Sequence, residues 1–279
     1  MPEFQLFRLK VYPPKQALLF NSESDREIIL VRTITSAPSA ALRRGSIWHL
    51  GNVTRVDDHG LYFRVGRTAR STLGLYQDGR FEDAEFETAP YTHAVVDVNL
   101  EVLAVAKKAQ LGPNAASIAD RVERLLNEAR SELTSGVRFK IDEISDPESL
   151  VTYIREAYTV SEFWLTVTQP NPFDENEDFV KPMQKALTAS NGQRAKAEIR
   201  GTDLNREVLE ELARSAASAG NDAGATLVPA TPEGRKMRKR LRGNSVNVQE
   251  EELQSEDSRR DLLQRVRDAY NRVRAGSQE

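Results

Sequence analysis

Residues 47–65 read IWHLGNVTRVDDHGLYFRV. Two β-prone runs, 47–56 and 61–65, flank Asp57-Asp58-His59-Gly60, where glycine is expected to supply the positive φ of a tight turn, so the stretch predicts an antiparallel hairpin. The pattern recurs at 91–98 and 102–106 around Asn99-Leu100-Glu101. Two consecutive hairpins make the first half a largely antiparallel sheet. Toward the N-terminus, Phe4, Leu6 and the residues up to Val11 alternate as a strand until Pro13-Pro14 ends it. Toward the C-terminus, Pro113-Asn114 opens a helix in which Ile118, Val122, Leu125, Leu126 and Ala129 share helical spacing, with Gly136 beyond its end. A short strand at 137–141 follows. Asp146-Pro147 then reads as an N-cap and a first-turn proline for a helix that buries Leu150, Ile154 and Ala157.

Near residue 159 the order of elements restarts. The run 162–168 alternates as a strand, stopped by Pro170-Asn171-Pro172, and a helix at 179–189, a turn at Asn191-Gly192 and a strand at 195–199 follow it. Val208, Leu209, Leu212 and Ala216 form one face of a helix over 204–219 that Gly220 closes. A strand at 226–229 and the turn Thr231-Pro232-Glu233-Gly234 lead into a basic run. The class predicted is α+β in two subdomains with separate apolar cores: residues 1–159, a hairpin-rich sheet with a long helix, and residues 160–279, a compact α+β unit followed by an amphipathic charged helix.

That basic run places Arg235, Lys236, Arg238, Lys239, Arg240 and Arg242 within eight residues of a chain whose net charge is −3. Such concentration is the footprint of a phosphate-bearing partner, because each neutralised phosphate releases condensed counterions. The bland alternative is a solvated hairpin balanced by Glu250, Glu251 and Glu252. A second patch, Arg64, Arg67 and Arg70, lies beside Tyr62 and Phe63, with Tyr76 and Arg80 farther on. Interleaved aromatics and cations bind single-stranded nucleic acid by stacking and phosphate contact, although alternation sends either Tyr62 or Phe63 into the core.

The last helix begins at Ser255, a good N-cap, with Glu256, Asp257 and Asp261 at its positive end. Its apolar stripe is Leu262, Leu263, Val266, Ala269, Tyr270 and Val273, surrounded by arginines. Three readings stay open: the stripe packs on its own domain, Leu262, Leu263, Val266, Tyr270 and Val273 form a homodimer interface, or the helix presents a second phosphate-facing surface.

Composition bounds the rest. With 279 residues, 39% hydrophobic and 29% charged, the chain has the profile of a soluble globular protein of two domains. The opening residues do not read as a signal peptide, and no run reaches the roughly twenty apolar residues that cross a bilayer. Zero cysteines remove disulfides, thiolate nucleophiles and zinc-cysteine sites together. The expectation is a cytoplasmic protein. His49, His59 and His93 have no neighbouring histidine at ligand spacing. Carboxylates for a Mg²⁺ nuclease are available at Asp57 and Asp58, or at Asp174, Glu175, Glu177 and Asp178, but both groups fall in turns. Neither Gly66-Arg67 nor Gly79-Arg80 belongs to a phosphate-cradling loop. No cofactor or metal is expected.

The first half with its hairpin strand at 61–65, the interrupted strand from Trp164 to Pro172 and the final charged helix resemble the layout of RexA-type phage-exclusion proteins. They also resemble bacterial proteins, often near mobile elements, in which an apolar strand runs into Asn-Pro, here Asn171-Pro172. The resemblance covers most of the chain and implies a two-domain, dimeric DNA-binding protein of phage exclusion, defence or abortive infection. No residue-level role is carried over from it. The expected function is binding of DNA or RNA with little sequence preference. The alternatives are a metal-dependent nuclease or RNase-type toxin, and a protein-binding module that docks through its basic hairpin.

Overall fold

Both faces of the first strand are apolar, and that sets the architecture. In β1 (Glu3–Tyr12), Phe4 and Leu6 enter one core while Phe7, Leu9 and Val11 enter another, so layers must cover both sides of the sheet it belongs to. The computed structural model describes residues 2–12, 23–42, 46–129, 136–168, 179–190, 192–241, 244–250, 253 and 255–275. After β1 come α1 (Glu23–Thr35), β2 (Ser39–Ala41), β3 (Ile47–Arg55), β4 (Gly60–Arg67), β5 (Ala69–Gln77), β6 (Arg80–Thr88), β7 (Tyr91–Asp97) and β8 (Val102–Ala106). The middle of the chain forms α2 (Ala115–Glu128), β9 (Arg138–Glu143), α3 (Glu148–Glu156), β10 (Thr159–Thr168) and α4 (Val180–Ala189). The remainder is β11 (Arg194–Arg200), α5 (Arg206–Ser218), β12 (Ala223–Val228), β13 (Met237–Arg240), β14 (Asn247–Gln249) and α6 (Glu256–Ala275).

The described strands pair antiparallel, which makes the protein α+β. A large sheet runs β14-β1-β8-β7-β4-β3-β2, with β9 also on β1, and a second sheet runs β11-β10-β12-β13. Helices α1 and α2 cover one face of the large sheet, α6 lies on the other, and α3, α4 and α5 line the second sheet. The layers are therefore helix, sheet, helix, sheet. No described helix is long and apolar enough to cross a membrane.

The two expected hairpins are β3–β4 and β7–β8. Gly60 does not take the positive φ expected of it. Its glycine is required because a Cβ there would run into Leu263 of α6, and the turn is held by Asp57 Oδ1 accepting from the His59 N–H at 3.0 Å. A third hairpin, β5–β6, stands apart as a two-stranded ribbon turning at Asp78-Gly79, both at positive φ. Asp-Gly between alternating runs was its signal. Helix α1 was also legible, in Ile29, Leu30, Thr33 and Ile34, all buried on one face. Val208, expected in the stripe of α5, is exposed; Ala213 is buried there instead. Pro13, Pro14, Pro170, Asn171, Pro172 and Asn191 lie outside the described residues.

The boundary expected near residue 159 does not separate two cores. One cluster joins Phe4, Leu6, Tyr62 and Val95 to Leu209, Leu262 and Val266. The reason is the return of the chain: β14 pairs with β1, and α6 packs on β7, β14 and α5. The apolar division follows the two faces of the large sheet, not the order of the chain. The stripe Leu262, Leu263, Val266, Tyr270 and Val273 is correspondingly buried within the chain, at most 5% exposed. These residues are not available as the homodimer interface expected of them.

Charge locks the layers together. Arg8, fully buried, donates to Leu100 O at 2.6 Å, Tyr270 Oη at 2.9 Å and Glu101 at 3.1 Å. Lys10, whose amine burial holds below its ordinary pKa, donates to Asp142 at 2.9 Å and to Thr168 of β10 at 2.7 Å. Arg267 of α6 spans Asp57 and buried Asp97, both at 2.6 Å. Buried pairs of this kind contribute little net stability, but breaking one leaves an uncompensated charge.

Candidate nucleic-acid interface

Alternation splits the basic run. Within β13, Arg238 and Arg240 point to the outer face of the second sheet, whereas Met237 packs inward and Lys239 turns toward α3, its Nζ 3.8 Å from the centre of the Tyr153 ring. Arg235 and Lys236 are exposed in the preceding turn, where the Gly234 N–H donates to Thr231 O at 3.0 Å. Arg242 lies outside the described residues, as do Glu251 and Glu252. The six cations are thus not one patch.

The outer face contributes partners that the sequence reading missed. Register sets two transverse rows, Glu198-Trp164-Gly224-Arg240 and Arg200-Glu162-Thr226-Arg238, with Lys196 opposite Thr166 and Arg194 opposite Thr168. The inner face, with Phe163, Leu165, Ala225 and Leu227, is core. Among the described residues no helix covers the outer one. The strict charged-apolar alternation of Arg194-Ala195-Lys196-Ala197-Glu198-Ile199-Arg200 was the available signal for this surface.

Trp164 is the centre of that face. A Cβ on Gly224 would come within 2.9 Å of the indole atoms Cζ2 and Cε2, so the missing side chain is what lets the ring lie across the neighbouring strand. Three cations stack on it: Arg240 at 5.1 Å, Lys196 at 5.3 Å and Arg238 at 5.5 Å from the ring centroid. They leave the indole 3% exposed and its buried N–H without a hydrogen-bond partner. Each stacked cation gains roughly 0.5–2 kcal/mol from the ring. The three cations also repel one another across the ring, and an anion placed among them relieves that repulsion. Glu198 pairs with Arg200 at 2.5 Å and Lys196 at 3.6 Å. Among the described residues, neither Arg238 nor Arg240 has a carboxylate partner.

The second expected patch does not assemble. Arg64 and Arg67 lie three apart in one strand and face opposite sides of the large sheet. Arg64 donates to Tyr62 Oη at 3.3 Å, and Arg67 donates to Gln110 O before α2 at 3.2 Å. Arg70 stands opposite Glu87 on the separate ribbon. Phe63 is core, and Tyr62 is buried on the other face beside His93.

Of the carboxylates considered for catalysis, Asp57 is tied up in an ion pair. Asp57 is engaged by Arg267 through two nitrogens, and that hydrogen bonding holds its carboxyl below the usual range. Asp58 uses its carbonyl to accept from Arg55. The group Asp174, Glu175, Glu177 and Asp178 lies outside the described residues. Among the described residues no three His, Asp or Glu side chains are grouped to hold a metal ion. His49 is held at both ring nitrogens, by Ser39 at 2.9 Å and Thr68 at 2.8 Å. His59 meets Glu27 at 3.1 Å.

No family model matches the chain, and no curated protein matches it either.

Proposed function

We propose that the protein binds nucleic acid through the outer face of β11-β10-β12-β13, as an extended single strand and with little sequence preference. The observation that carries this reading is the convergence of Lys196, Arg238 and Arg240 on the indole of Trp164. Phosphates draw the cations off the ring, and the uncovered indole stacks against a base. Affinity then comes mainly from phosphate contacts, which carry no sequence information, and from stacking, which every base can supply. Five cations, Arg194, Lys196, Arg200, Arg238 and Arg240, share the face with Glu162 and Glu198. A role in phage exclusion is the biological setting we propose for this binding.

The test is fluorescence anisotropy with single- and double-stranded DNA and RNA across a salt series, with strand cleavage followed in the same tubes with Mg²⁺ and with EDTA. Binding of single strands that weakens steeply with salt, and that EDTA leaves intact, is the expected result. Failure to bind any of the four probes at low salt refutes the reading. EDTA-sensitive cleavage transfers it to the nuclease alternative. Saturable binding of an acidic protein, with no response to any of the probes, transfers it to the docking alternative.

A further inference from the structure

Three cations from distant parts of the chain gather on a second group of aromatic rings. Arg64 of β4 stacks on Tyr91 with its guanidinium 4.5 Å from the ring centroid, and Lys108, just after β8, lies 5.3 Å from the same ring. Arg259 of α6 stacks on Tyr62 at 4.4 Å. His93 stands between the two tyrosines, its ring centroid 5.9 Å from Tyr62 and 5.7 Å from Tyr91.

Hydrogen bonding ties that histidine to the cluster. Arg64 Nε–H donates to Tyr62 Oη at 3.3 Å, and the same oxygen is hydrogen-bonded with His93 Nδ1, 2.6 Å away. Burial, and then the charges of Arg64, Lys108 and Arg259, push His93 down to about 4, which keeps it neutral near pH 7. Among the described residues, neither Arg64 nor Lys108 has a carboxylate partner. The fold therefore concentrates positive charge at a half-buried spot, and like charges so placed are offset by a bound anion.

We propose that Arg64, Lys108 and Arg259 form a phosphate-binding site at the Tyr62-His93-Tyr91 cluster, distinct from the sheet face and independent of the function proposed for it. The ligand chemistry is a phosphate monoester dianion, supplied either by a free mononucleotide or by the 5′ end of a polynucleotide.

The experiment titrates the full chain with inorganic phosphate by calorimetry, and follows the His93 ring proton by NMR in the same series. Wild-type protein is expected to bind saturably, and the bound anion to raise the pKa of His93. Lys108→Met and Arg64→Gln are expected to weaken binding at least about tenfold, while Lys185→Ala, on the exposed side of α4, leaves it unchanged. Lys108 lies outside the strands and helices, so its variant keeps the test valid should the Arg64 variant misfold. No saturable binding overturns the proposal, and so does equal binding by wild type and the folded Lys108 and Arg64 variants, or loss of binding on Lys185→Ala. A preference for 5′-phosphorylated over 5′-hydroxyl oligonucleotide that disappears in Lys108→Met assigns the polynucleotide end. Binding of adenosine monophosphate without that preference assigns the free nucleotide.

Discussion

Arg240 and Trp164 occupy one transverse row of the four-stranded sheet, with the side-chain-less Gly224 between them and the guanidinium 5.1 Å from the indole centroid. The glycine sets the height of the ring, and the ring sets where the arginine rests. Aromatic and cation are thereby presented together on a β-scaffold rather than on a mobile loop, which suits recognition that depends on stacking.

Gly224→Val tests that arrangement. A side chain there meets the indole at 2.8 Å and Lys239 O at 2.6 Å, so the ring must move. We expect a loss of about 1–3 kcal/mol in urea unfolding, the usual cost of overpacking, together with a shift of Trp164 emission in a Trp48→Phe background. Unchanged emission from a folded variant would show that the ring does not depend on the glycine.

Alternation along β13 separates Arg238 and Arg240 from Lys239. The double replacement Arg238→Ala with Arg240→Ala should flatten the slope of log affinity against log salt by about 1.4–1.8 units, at roughly 0.7–0.9 per phosphate lost. Lys239→Ala, which turns toward Tyr153, should leave the slope close to wild type. Equal effects of the two changes would mean that the whole run contacts the ligand.

For α6 the expected outcome is loss of fold. Leu263 and Val266 are both 0% exposed, and Leu263 fills the space left by Gly60, so Leu263→Glu with Val266→Glu buries two charges without partners. Circular dichroism should show unfolding or a loss exceeding about 4 kcal/mol. A variant that stays folded while light scattering reports a smaller species would restore the oligomer reading of this helix.

His93 makes stability depend on pH. Its folded value near 4 lies below the ordinary 6.5, so between these values the unfolded chain binds the extra proton and stability falls as pH falls. The contribution is complete above about pH 6.5 and gone below about pH 4. After a discount for solvent screening it is worth roughly 1–2 kcal/mol. Burial of the ring sets it first, and the charges of Arg64, Lys108 and Arg259 add to it. Urea midpoints measured across this range should slope less in His93→Gln than in wild type, and parallel curves would remove His93 as the titrating group.

Elements with strong local signals were legible in the sequence. Asn114 caps α2 by accepting from the Ser117 N–H at 2.9 Å, Asp146 accepts from the Glu148 N–H at 3.0 Å at the start of α3, and Ser255 accepts from the Ser258 N–H at 3.1 Å in α6. Each short polar side chain satisfies a donor only a few residues away, so spacing alone reveals it. The candidate site was half legible for the same reason. Arg238 and Arg240 stood out as charge, but Trp164 looked like any apolar strand residue. Its neighbours Lys196, Gly224 and Arg240 are 32, 60 and 76 positions later in the chain.

Periodicity, capping and turn chemistry determined which segments are strands and helices, because those preferences act over one or two turns of chain. Tertiary structure decided which strands are neighbours, and with that where the charges meet: that Trp164 meets three cations, and that Arg64, Lys108 and Arg259 surround His93. It also decided that α6 closes the core of its own chain, through the pairing of β14 with β1 at the far end of the sequence. Such pairings are selected by burial of both faces of a sheet at once, a condition on the whole chain that no local window of residues contains.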